Sequence, residues 1–316
     1  MLKARGFAVA LLALIAAPAG AEDTLGTDTM APPPPSEATI PAVLTDTLKK
    51  VHDSGVITLG YRDASFPFSY VRQGQPAPLG YSIDLCQGIV AEIIRELNGK
   101  PTQIAYQPVT SDSRMPAVIS GKVDLECGST TSNTERQKSV AFSPVMFVAG
   151  TKLLVKRSSG IASYKDLTGK TLAVTSGTTN ETAMKLLDEK YHLGIKIVSM
   201  PDHAASYDLL AQGGADAFAT DDVLLQGFIA AKNSQATMAV VGDYITYEAY
   251  GIMFRKDDPE LTTAVRQAFA QMAQNRSLAT LYHKWFLQPT PTGESLDLPI
   301  SLQLTEAFRV LGLDDF

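Results

Sequence analysis

The chain has 316 residues, of which 45% are hydrophobic and 19% charged, and its formal net charge is −6. This is the balance of a folded globular protein, which excludes a disordered or fibrous chain, and the length favours two domains over one. The acidic balance argues against nucleic acid or an anionic membrane as a partner.

The longest apolar run, Gly6 to Ala17, spans 12 residues, well short of the roughly 18 to 20 that a membrane-spanning helix needs. Lys3 and Arg5 precede it and Ala19-Gly20-Ala21 follows it. Basic start, short apolar stretch and small-residue site together describe a secretory signal peptide over residues 1–21, cleaved after Ala21. A buried alanine-rich helix is the other reading. Cleavage leaves 295 residues, takes the charge to −8 by removing Lys3 and Arg5, and leaves no cysteine at the new start to carry a lipid. The expected location is therefore the periplasm, without membrane insertion. Residues 22–44, with Ala31-Pro32-Pro33-Pro34-Pro35-Ser36, read as a Pro-rich disordered leader.

From Val56 the pattern predicts a strand to Tyr61, a helix over Ile83–Leu97, a strand over Gln103–Val109, a helix over Ser111–Ser120 and a strand over Val123–Cys127. This βαβαβ order implies a mainly parallel sheet. Cys86 and Cys127 are the only two cysteines. Outside the cytoplasm they can form one disulfide, closing a loop of about 42 residues and stabilising by about 4 kcal/mol on the chain-entropy model. Two buried thiols are the alternative. Neither has the neighbours that metal or redox chemistry needs, and no metal or cofactor is expected.

After a turn at Tyr164–Lys170 the order repeats: strand Thr171–Thr175, helix Thr178–Lys190, strand Ile195–Val198, helix Ala204–Gln212, strand Ala215–Thr220 and helix Val223–Lys232. Two long apolar strands, Val145–Val155 and Tyr247–Arg255, bracket this second unit as crossover segments. Helices over Pro259–Gln274 and Ser277–Phe286 then return to the first lobe, with a last short helix around Leu302–Leu311. The predicted fold is α/β and two-lobed. Residues 45–148 and 250–316 make lobe 1, and 149–249 make lobe 2 with a hinge strand at each end.

In open α/β sheets, ligands lie beyond the carboxyl ends of the strands. Those ends carry Arg62; Ser111 and Arg114; Ser129, Thr130, Thr131 and Arg136; and, in the second unit, Thr178 and Thr179, His203, and Asp221 followed by Asp222. On this count one acid faces three bases. An arginine fork matches a carboxylate and a carboxylate accepts from an ammonium, so the set describes a ligand with two carboxylates and one ammonium, aspartate or glutamate. Taken singly, each arginine reads as a surface side chain, His203 as a cap, and the threonine pair and the two aspartates as helix caps. Their recurrence at successive strand ends is what joins them.

Tyr61-Arg62-Asp63-Ala64-Ser65-Phe66-Pro67-Phe68-Ser69-Tyr70 and Gly80-Tyr81-Ser82-Ile83-Asp84-Leu85 resemble the first lobe of periplasmic amino-acid-binding proteins of ABC transporters, type II solute-binding proteins. The segment Glu126-Cys127-Gly128-Ser129-Thr130-Thr131-Ser132-Asn133-Thr134-Glu135-Arg136-Gln137 resembles the glutamate/aspartate-binding branch in particular, and Asp166–Lys170, Ser176-Gly177-Thr178-Thr179 and Tyr247–Met253 agree further with the family. The likeness spans about residues 45–290. It implies two lobes, each a mainly parallel sheet flanked by helices, joined by a two-strand hinge and closing on the ligand. It gives the α-carboxylate to Arg136, with Thr130, Thr131, Thr178 and Thr179 helping, and the ammonium to Asp221 with Ser129 beside it. Asp222 is then left to cap. The side-chain carboxylate goes to Arg62, Ser111, Arg114 and His203. A monomer delivering its ligand to an ABC permease is expected, with no catalysis. A cleft enzyme on the same fold, such as a dehydratase of cyclic acids, and a sensory binding module are the rival functions.

Overall fold

The computed structural model of the protein describes residues 46–72 and 74–313. The expected signal peptide and Pro-rich leader lie outside the described residues. α1 (Asp46–Ser54) leads into β1 (Val56–Tyr61), the hairpin of β2 (Ala64–Ser65) and β3 (Ser69–Tyr70), α2 (Tyr81–Glu96), β4 (Gln103–Pro108), α3 (Arg114–Ile119) and β5 (Leu125–Glu126). β6 (Val140–Phe142) and β7 (Phe147–Ala149) precede the second unit. That unit contains β8 (Thr151–Lys156), β9 (Thr171–Thr175), α4 (Thr179–Tyr191), β10 (Lys196–Met200), α5 (His203–Ala211), β11 (Ala217–Asp221), α6 (Asp222–Ala231) and β12 (Met238–Val241). The chain returns through β13 (Glu248–Tyr250) and β14 (Met253–Arg255) to α7 (Pro259–Gln274), α8 (Ser277–Tyr282) and α9 (Leu302–Val310).

Two five-stranded sheets result, ordered β4-β1-β5-β14-β6 and β10-β9-β11-β8-β12. β4, β1 and β5 pair in parallel, as do β10, β9 and β11, whereas β14 and β8 run against both of their neighbours. Among the described residues, four strands of each sheet therefore point one way, and the reversed strand is the one fed by the crossing chain. Each sheet is mixed for that reason, where the βαβ order alone implied parallel pairing.

The two long crossover strands of the sequence reading are each broken. Val145–Val155 becomes β7 and β8, and Tyr247–Arg255 becomes β13 and β14. β7 and β13 form their own antiparallel ladder, Phe147 opposite Tyr250 and Ala149 opposite Glu248. It is a two-strand ribbon between the sheets, where a chain changing partners cannot keep one continuous strand. The short edge strands β6 and β12 were not foreseen, since half-buried runs of three or four residues carry no period.

α2 buries Ile83, Leu85, Cys86, Ile89, Val90 and Ile93 at helical spacing against α7, and Trp285, Phe286, Phe308 and Leu304 complete the same core. The C-terminal helices thus belong with the first sheet. Smaller cores cover the two faces of the second sheet around Leu172, Val174 and Met184, and around Leu210, Phe218 and Leu225. Cys86 and Cys127 are joined in a disulfide that ties α2 to the residue following β5.

Candidate ligand-binding site

The three parallel strands of each sheet end toward one cleft. Arg62 follows β1, Ser111 and Arg114 follow β4, and Ser129 to Thr131 follow β5. From the second sheet, Thr178 and Thr179 follow β9, His203 follows β10, and Asp221 ends β11. All these residues are buried except Thr179, which is half-buried. The two sheets meet here. Arg136 Nη1 donates to the carbonyl of Thr131 at 2.9 Å while Nη2 donates to that of Gly177 at 3.4 Å. The hydroxyls of Thr131 and Thr179 lie 3.4 Å apart. Gly177 has φ +72°, and a Cβ there would stand 2.3 Å from Asp112 Oδ1, so the turn before α4 approaches the other lobe only as glycine.

Several buried polar atoms around the arginines have no hydrogen-bond partner among the described residues: Arg62 Nη1, Arg114 Nε, Ser111 Oγ, Ser129 Oγ and Glu126 Oε1. Buried polar groups are ordinarily paired, so this concentration at the ends of β1, β4 and β5, facing those of the second sheet, marks where a polar ligand fits. Burial, then the neighbouring Arg114, brings the Arg62 guanidinium down to about 10, and burial and the same neighbour bring Arg136 to about 10. Both remain charged at neutral pH. Burial and then Arg62 and Arg114 hold His203 well below the ordinary histidine value. Its ring is neutral, with Nδ1 2.8 Å from Thr175 Oγ1, and contributes hydrogen bonding rather than charge.

Asp221 accepts from Asn180 Nδ2 at 2.7 Å and from the Tyr250 hydroxyl. Burial, then Glu248, pushes its carboxyl up to about 7. Thr178 acts as the cap of α4: its hydroxyl accepts from the Glu181 N–H at 3.1 Å and donates to the Thr175 carbonyl at 2.7 Å. Thr130 is committed as well, accepting from Arg114 Nη1 at 2.6 Å and donating to Glu126 Oε2 at 2.5 Å. Asp222 does not cap its helix, contrary to expectation. It accepts from the Gly150 N–H at 3.2 Å and from the Tyr244 hydroxyl at 2.8 Å, and so braces the crossover strand. A cavity of about 640 Å³ opens at the Arg136 end, bordered by Thr131, Arg136, Thr179 and Glu248.

One part of the sequence reading needs correction. The three arginines face three buried acids, not one, because Glu126 and Glu248 join Asp221. Glu248 accepts from Thr179 Oγ1 at 3.0 Å and from Thr246 Oγ1 at 2.6 Å, and its charge reaches Arg136. Both glutamates lie in short strands whose neighbours are apolar, and a lone acid in such a run was the signal available.

The family model for bacterial extracellular solute-binding proteins, family 3, matches residues 57–288. The chain is 42% identical over 262 residues to an L-glutamate/L-aspartate-binding protein of Pseudomonas aeruginosa, covering 83% of this chain and 87% of that protein. It is 38% identical to the glutamate/aspartate import solute-binding protein of Escherichia coli K12, covering 84% of this chain and 86% of that protein. Among solved structures, an ancestral arginine-binding protein bound to glutamine matches with a TM-score of 0.66 at 28% identity, covering 74% of this chain and 99% of that one. Two α/β sheets meeting at a cleft, the ribbon between them and these likenesses agree: the chain belongs to the bacterial extracellular solute-binding proteins, family 3.

Proposed function

We propose that this solute-binding protein captures glutamate or aspartate and hands it to an ABC permease, acting as a monomer in the periplasm after cleavage following Ala21. The observation that carries the ligand assignment is the set of unpartnered buried donors on Arg62 and Arg114 beside a neutral His203. Donors held out of water with nothing to donate to are costly unless a ligand acceptor meets them, and a side-chain carboxylate is the acceptor that matches arginine. Relatives 42% and 38% identical to this chain are named for the same two amino acids.

In this reading Arg136 and the Thr131 and Thr179 hydroxyls take the α-carboxylate, Asp221 and Ser129 take the ammonium, and Arg62, Ser111, Arg114 and His203 take the side chain. Glu126 and Glu248 lower the net positive charge without removing the donors. The first lobe moves against the second about the β7–β13 ribbon, and closure excludes water and strengthens each pairing. Calorimetric titration of unfolded and refolded protein against glutamate, aspartate, glutamine, asparagine and a neutral amino acid tests this. Tight binding of the two acids with weak or no response to the amides is the expected result. Silence toward all five rejects it.

A further inference from the structure

Glu126 is fully buried at the end of β5, the middle strand of the first sheet. One carboxylate oxygen accepts from Thr130, which in turn accepts from Arg114, while the other has no hydrogen-bond partner among the described residues. Arg62 is close by as well, and the Glu126 charge acts on both arginines. A Cβ at Gly128 would lie 2.3 Å from Glu126 Oε1 and 2.9 Å from Arg62 Cγ, so glycine at that position leaves the acid and the arginine room to approach. The chain has thus placed a carboxylate of its own beside the two arginines that keep unpartnered donors.

We propose that Glu126 sets the acid-over-amide preference of the cleft, as a resident carboxylate whose charge opposes that of the ligand's side chain beside Arg62 and Arg114. This rests on the assignment of those arginines to an acidic side chain. In the unliganded protein Glu126 offsets two buried positive charges, which would otherwise burden the fold. In the complex the same charge faces the ligand's carboxylate across the arginines and repels it, so it weakens acids and leaves amides nearly untouched. A residue that only positioned Arg114 through Thr130 would support binding of acids, and its loss would weaken them.

The two roles give opposite signs in one experiment. Glu126→Gln keeps the shape and an acceptor for Thr130 but removes the charge. Titration of wild type and variant with glutamate, aspartate and glutamine should show the acids binding about tenfold tighter in the variant and glutamine changed by less than about threefold. Thermal unfolding without ligand should move to lower temperature. An acid-to-amide ratio equal to or below that of wild type overturns the proposal. If Glu126→Gln does not fold, Glu126→Asp carries the test, since drawing the charge back by one methylene should raise the ratio in the same direction by about threefold. Wild type that binds neither acid rejects the ligand assignment itself, whereas wild type that binds both with an unmoved variant ratio rejects only the role of Glu126.

Discussion

The two arginine ends of the cleft are built differently. Arg136 spends its donors on backbone carbonyls, one from each lobe, and borders the open cavity. Arg62 and Arg114 are each 3% exposed, retain unpartnered nitrogens, and act on a histidine whose charge burial, and then they, suppress. The first end is therefore part of the framework that joins the lobes, and under the proposed assignment it is the end that would meet the groups every amino acid carries. The second end is a desolvated set of side chains in which an unmatched donor is expensive. Under that assignment, recognition of an amino acid and discrimination among amino acids would be separated in space.

Substitution at the two ends should break this comparison most sharply. Arg136→Ala removes a buried charge from the common end, a loss of about 3–5 kcal/mol, so binding of glutamate, aspartate and glutamine should weaken together by about 100-fold or more. Arg114→Ala should weaken the acids by about 30-fold or more while changing glutamine by less than about threefold. Titration of both variants with all three ligands decides it. Glutamate affinity in Arg136→Ala within a few-fold of wild type places the α-carboxylate elsewhere and inverts the pose.

Asp221 lies between these ends and adds a dependence on pH. Burial and Glu248 push its carboxyl up to about 7, against the hydrogen bonds from Tyr250 and Asn180 and with Asp222 also raising it. A ligand ammonium favours the ionised form, so binding below about pH 7 releases a proton, and affinity falls by up to about tenfold for each pH unit below that point. It should be level above it. Asp221→Asn should bind more weakly and without this slope. Titration at about pH 6 in buffers of different ionisation enthalpy measures the released proton directly, and none released places the ammonium on another group. Thermal stability is a poorer readout. The raised carboxyl stabilises the fold below the ordinary aspartate value of 3.8 and loses that contribution as pH rises through about 7. His203, held low, stabilises above 6.5 and loses its contribution as pH falls. The two slopes oppose each other between these limits.

Much of this was legible in the sequence because ligand residues in such folds follow strand ends, and strand ends are marked by the change from apolar runs to Arg62, Ser111, Ser129, Thr178 and His203. Glu126 and Glu248 were not, because each interrupts an apolar strand, and its meaning depends on an arginine distant in sequence that the sheet brings beside it. Thr130 and Thr178 show the complementary limit. Their position at the site was readable, but their hydroxyls are occupied by Arg114 and Glu126 and by the start of α4. Pairing in the sheets was readable only up to the crossings. The reversed strands β14 and β8 follow from where the chain re-enters each sheet, which hydrophobic pattern does not encode.

Closure itself can be tested at a point away from both arginine ends. Gly227 lies within α6 of the second unit, and a Cβ there would stand 2.6 Å from the Phe66 carbonyl, which belongs to the β2–β3 connection of the first. Within a helix, alanine is more stable than glycine by up to about 1 kcal/mol, so a local account of Gly227→Ala predicts a sturdier protein with unchanged binding. The contact across the lobes predicts something different. Without ligand, the lobes can part and the variant should unfold at or slightly above the wild-type temperature. With ligand, closure meets the added methyl, so glutamate affinity should fall several-fold and the stabilisation it confers should shrink correspondingly. Lower unliganded stability with unchanged affinity would mean that α6 and Phe66 remain together in both states and that the hinge opens the cleft on another side.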